Sequence, residues 1–149
     1  MSTELREVYD FFMMKITDYR LDTLYNTSDT AFEDYLQLWL DMAIVEFAMC
    51  DQSLAYNNET KVFDELLTSQ NKVMLATLMV KYWLKKNVND ITQMNLHVTD
   101  RDFKVASEAM NLREKKDYLI VVTEESDLLL NSYAYARNNW DDWYSQLFV

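Results

Sequence analysis

Apolar positions recur along this chain at three- and four-residue intervals rather than in alternation, which predicts helices joined by short polar turns. Over "TELREVYDFFMMKITDYRL" Leu5, Val8, Phe12 and Ile16 fall on one face, with Thr3 as the expected N-cap and Glu4 and Glu7 in the first turn. "YNTSDT" reads as a turn in which Ser28 or Asp29 caps the next element. The second helix, expected over residues 30–49, carries two apolar sets. One is Phe32, Leu36, Leu40, Ala43 and Phe47; the other is Tyr35, Leu38, Met42, Val45 and Met49, with Trp39 and Ile44 between them. Only Glu33, Asp34, Gln37 and Asp41 form a polar stripe, so the helix is expected to be buried on most sides, centrally or against a second subunit.

"YNNETKVF" predicts a turn followed by extended chain. A third, mostly apolar helix is expected over residues 69–86, and "NVNDITQMNLHV" reads as a loop. From a Thr99 N-cap one long helix, or two in line, is expected, with the β-branched "YLIVV" taken as helix because its neighbours are strongly helical. The last residues, "NNWDDWYSQLFV", again space their apolar side chains as one helical face: Trp140, Trp143, Tyr144, Leu147, Phe148 and Val149. Such a segment either folds back on its own domain or fills a neighbour's groove. The expected fold is therefore all-α: a bundle of about four to five helices over residues 1–137, ending in a long helix, with an extended docking tail over residues 138–149.

Composition sharpens this picture. The 149 residues include no Gly and no Pro, where average usage would give about ten and about seven. Without Gly, tight hairpins lose their usual positive-φ residue, and left-handed caps fall to Asn. Phosphate-binding loops and dinucleotide fingerprints, which need Gly for close backbone approach, are excluded. The net charge of −11 argues against binding nucleic acid, whose affinity comes from Lys and Arg on phosphates. A single cysteine, Cys50, excludes an intrachain disulfide and fits a reducing compartment. "MSTELREVYDFF" lacks the apolar core of a secretory signal, and the longest apolar stretch, residues 73–84, falls short of a bilayer, so no membrane role is expected.

Candidate chemistry is sparse. His97 has no second His or Cys at metal-ligand spacing and reads as a loop or structural residue. Cys50 has no paired base and reads as a buried structural thiol. The acidic pairs Glu124–Glu125 and Asp141–Asp142 read as solvated faces, and Lys85, Lys86, Lys115 and Lys116 are too few for a nucleic-acid groove. No catalytic residue, metal site or cofactor is expected, and the sequence gives no support for an enzyme.

The order of "AFEDYLQLWLDMAIVEFAMCDQSL", "LMVKYWLKKNVND", "TDRDFKVASEAMNLREK" and "NSYAYARNN" resembles the small helical head–tail connector, or neck, adaptor proteins of tailed bacteriophages, over residues 30–139. The resemblance implies a helical bundle assembled as a homo-oligomeric ring, typically dodecameric, beneath the portal protein. It further implies a virion role, assembled in the host cytoplasm, continuing the DNA channel toward further neck and tail proteins, with DNA passing and no sequence-specific binding. The segment docking on the portal would carry Trp140, Trp143, Tyr144, Leu147 and Phe148. Subunit packing is expected at Trp39, Met42 and Trp83. The acidic charge suits a channel through which DNA slides without sticking. The competing reading is a small helical binding or regulatory module of a virus or bacterium, acting as monomer or dimer.

Overall fold

The structure, a computed structural model, describes residues 1–97 and 102–137; of Tyr19, residues 94–97 and residues 102–109 only the backbone is described. Its elements are α1 (Leu5–Lys15), α2 (Tyr19–Thr27), α3 (Asp29–Glu46), β1 (Tyr56–Asn57), β2 (Val62–Phe63), α4 (Ser69–His97) and α5 (Asp102–Arg137). The all-α expectation holds, with one two-stranded antiparallel hairpin pairing Tyr56 with Phe63 and Asn57 with Val62.

α4 is the centre of the molecule. Every residue from Asn71 to Leu84 is buried or half-buried, and α1, α3 and α5 all pack against it. A helix apolar all round needs partners all round, and here the chain supplies them. Phe12 of α1 meets Trp83 edge-to-face, ring centroids 6.2 Å apart. α3 contributes Phe32, Leu36, Trp39, Leu40, Ala43 and Phe47, and α5 contributes Val122, Leu130 and Tyr133.

Three local expectations are corrected. The first helix is two: α1 ends at Lys15, and the Asp18 carboxylate caps α2 by accepting from the Arg20 N–H at 2.8 Å. Asp competes with helical hydrogen bonding in this way, and β-branched Ile16 and Thr17 precede it. Thr3 is not the cap of α1; Glu4 holds that position, its N–H donating to Glu7 Oε1 at 3.3 Å. The fully buried Thr3 hydroxyl instead accepts from the Leu67 N–H at 2.8 Å, while the Thr3 carbonyl accepts from the Phe63 N–H at 2.8 Å. The N-terminal strap is thereby stitched to the hairpin.

The third correction is the largest. "NVNDITQMNLH" continues α4 as helix to His97. Its polar side chains bond back onto the helix rather than breaking it: Asn87 Nδ2 donates to the Trp83 carbonyl at 2.8 Å, the Thr92 hydroxyl donates to the Val88 carbonyl at 2.8 Å, and Lys86 pairs with Asp90. An i,i+4 ion pair adds to the same end. "YLIVV" is helical, as expected, within α5. The expected Thr99 cap lies outside the described residues.

Ser28 caps α3 through an acceptance from the Ala31 N–H at 3.3 Å. In a chain without Gly, the hairpin turn places Lys61 at φ 56°, the left-handed region that costs a residue with a Cβ about 1 kcal/mol or more. The Lys61 ammonium is held there by Gln37 of α3, Asn58 and Asp34.

Candidate interaction surface

α3 has two seams. The inner one joins the core. The outer one runs through Ala31, Tyr35, Leu38, Met42 and Val45, spaced four, three, four and three residues apart, and Met49 in the following turn is exposed as well. Leu38 is 59% exposed, Met42 46%, Val45 75% and Met49 46%. Seams spaced in this way are those by which helices pack against other helices. Together the four side chains leave on the order of 400 Å² of apolar surface, the range in which a monomer's largest patch is often an interaction site. The sequence lists both apolar sets of this helix; the structure shows which one the chain itself covers.

Of the residues expected to pack subunits, Met42 lies on this outer seam. Trp39 and Trp83 do not: at 9% and 5% exposure they fill the chain's own core. They belong there because α3 and α4 pack against each other, and both indole rings are enclosed by their own fold. The docking residues Trp140, Trp143, Tyr144, Leu147 and Phe148 lie outside the described residues, as do Asp141 and Asp142. Glu124 and Glu125 are exposed on α5, Glu125 standing 3.9 Å from the Lys15 ammonium.

The end of α5 is fastened by a cluster centred on Asp51. Its carboxylate accepts from the Tyr133 hydroxyl, from Asn71 Nδ2 at 3.1 Å and from Arg137 Nη2 at 3.0 Å. The Asp51 N–H donates to the Tyr133 hydroxyl oxygen at 3.0 Å, and the Arg137 guanidinium lies 3.3 Å from the Tyr133 ring centroid. Donation from Tyr133 first, then Asn71 and Arg137, pulls the Asp51 carboxyl down from 3.8 to about 2. Burial, with the Asp51 carboxylate beside it, pushes the Tyr133 hydroxyl up to about 12. Cys50, half-buried, lies 3.7 Å from the Tyr133 hydroxyl through its sulfur. Spacing along the chain does not reveal this cluster, because its members sit up to 86 residues apart.

Beyond the core, α4 and α5 run on as an arm. No residue of 85–93 or 110–121 is buried. Residues 85–116 hold seven Lys or Arg against five Asp or Glu, in a chain whose net charge is −11. Arg113 and Lys116 make no ion pair with any described residue.

Among the described residues no group of three or more His, Cys, Asp and Glu is placed to hold a metal ion, and no helix is long and apolar enough to cross a membrane. No family model, curated protein or solved structure matches the chain.

Proposed function

We propose that this protein is a structural subunit of a multi-copy assembly: a neck adaptor that forms a ring on the portal of a tailed bacteriophage and continues the DNA channel toward the tail. The observation that carries the reading is the outer face of α3, where Leu38, Met42 and Val45, with Met49 in the turn that follows, stand exposed at helix-packing spacing among the described residues. The viral setting comes from the sequence resemblance across residues 30–139. The net charge of −11 supports a channel wall, since like charge keeps DNA mobile. Fastening of α5 at Asp51 fixes the position of Arg137, after which the apolar residues 140–149 follow in sequence.

The test is electron microscopy of the full chain mixed with the purified portal ring of the same virus. A ring of this protein stacked coaxially on the portal is the expected result. A monomer or dimer indifferent to the portal overturns the reading and favours the small helical binding module.

A further inference from the structure

We propose that α5 pairs with α5 of a second copy of this chain, antiparallel about a two-fold axis at Ile120. The dimer is a property of the free chain and does not depend on the neck reading above.

The order of charges along one strip of the helix selects the occupant. Arg113 and Lys116 stand seven and four residues before Ile120, and Glu124 and Asp127 stand four and seven after it; all five are exposed. At 3.6 residues per turn they fall within one sector of about 80°. Val122, Ser126, Leu130 and Tyr133 mark the buried side of α5, which packs on α4. α1 meets the flank opposite the strip, through Tyr118 and Glu125. The four charged side chains of the strip make no ion pair with any described residue, and Arg113 is not paired with Asp117 one turn on. Within the helix, Arg113 neighbours Lys116 and Glu124 neighbours Asp127, like charges at an unfavourable spacing. A second α5 laid antiparallel over the strip sets Arg113 opposite Asp127 and Lys116 opposite Glu124, twice each, with Ile120 against its own copy. Laid parallel and in register, it sets base on base and acid on acid, which opposes pairing.

Size agrees. The overlap from Met110 to Leu130 is about 30 Å of helix. Along it Met110, Ile120, Val121 and Leu128 are exposed, and together they leave on the order of 400 Å² of apolar surface per copy. A standard interface covers about 800 Å² per partner, so these side chains supply about half, and the stems of Arg113 and Lys116 add to it. The same patch serves both copies, so the contact is isologous and stops at a dimer, separate from any cyclic contact that would build a ring.

Sedimentation velocity of the full chain tests the pairing by charge reversal. Arg113→Glu with Lys116→Glu makes the strip wholly acidic; Glu124→Lys with Asp127→Lys makes it wholly basic. All four side chains are exposed, and far-ultraviolet circular dichroism verifies that each variant folds. The wild type is expected to sediment as a dimer that weakens with salt. Each reversal alone is expected to weaken dimerisation about a hundredfold or more. An equimolar mixture of the two is expected to restore a dimer, and a chain carrying all four substitutions is expected to pair like the wild type. Oxidative cross-linking reads the orientation, with the wild type as control for the half-buried Cys50. Ile120→Cys is expected to form an intermolecular disulfide and Asp127→Cys is not. A monomeric wild type, a dimer that neither reversal weakens, a four-substitution chain that stays monomeric, or equal cross-linking at 120 and 127 each overturns the pairing. If the free chain is monomeric yet forms a ring on the portal, the pairing falls while the neck reading stands. A dimer of this kind that ignores the portal upholds the pairing and overturns the neck reading.

Discussion

Arg137 reaches across 86 residues of sequence to place its guanidinium 3.0 Å from the Asp51 carboxylate while stacking on the Tyr133 ring one turn earlier. This is the contact that fixes the end of the longest helix to the turn after α3. Asp51, lowered to about 2, contributes stability that is present above its unfolded value of 3.8 and is lost as pH falls through about 2. Tyr133, raised to about 12, contributes stability present below 10 and lost as pH rises through about 12. The fastening is therefore complete between about pH 4 and pH 10. Asp51→Asn is expected to reduce the acid-side dependence between pH 4 and pH 2, read as the slope of melting temperature against pH, leaving the share of Glu7, which Lys72 also holds low. Amide exchange over residues 130–137 is expected to speed up at neutral pH. Unchanged exchange there would mean that α5 is held without the cluster.

Lys81, on the central helix, is 8% exposed in its side chain and pairs with Glu46 of α3, itself 23% exposed. Lys81→Met leaves a mostly enclosed carboxylate without its cation, an error that costs about 3 kcal/mol or more at full burial and about 2 here. Replacing both, Lys81→Met with Glu46→Leu, is expected to return stability to within about 1 kcal/mol of wild type, because the pair's attraction largely offsets its desolvation. Urea unfolding of the two variants checks both figures.

How much of this was legible in the residues depends on distance along the chain. The inner and outer apolar sets of α3 are plain in a list of spacings, because helical periodicity is local. So is a cap at Ser28 or Asp29, of which Ser28 is the one used. Which set faces out is not, since that depends on α4 and α2 arriving from elsewhere to pack against α3. Trp39 and Trp83 look like interface residues by type and are core residues by position. The extension of α4 beyond Lys86 was obscured by Asn and Thr, whose turn preference is overridden when their side chains bond back to Trp83 and Val88. The Asp51 cluster carries no sequence signal at all.

Trp83 offers a direct test of core against interface. Its ring lies edge-to-face with Phe12 and is nearly fully enclosed. Trp83→Ala is expected to cost about 3–5 kcal/mol, a large share of the whole stability of a domain this size. The monomer itself is expected to melt lower by circular dichroism. Dissociation of an assembly into well-folded monomers would place Trp83 at a subunit contact instead.

Thr3 ties the start of the chain to the segment before α4. Thr3→Val keeps the shape but leaves the Leu67 N–H without its acceptor in a buried place, at a cost of about 1–3 kcal/mol. Thr3→Ser restores the hydroxyl and is expected to recover most of that loss in chemical unfolding. Equal destabilisation by Val and Ser would point to packing of the methyl group rather than the hydrogen bond.

The docking role proposed for residues 138–149 can be tested by substitution. Trp140, Trp143 and Phe148 follow in sequence an α5 end fastened by Tyr133 and Arg137. Replacing all three with Ala is expected to leave helix content and melting temperature nearly unchanged. Buried aromatic anchors at an interface cost about 2 kcal/mol or more each on truncation, so binding to the portal ring is expected to weaken by several orders of magnitude. Co-sedimentation with the portal ring measures that loss, and thermal melting of the isolated chain measures the other arm. A triple variant that unfolds on its own would assign these side chains to the chain's own core and remove the docking role.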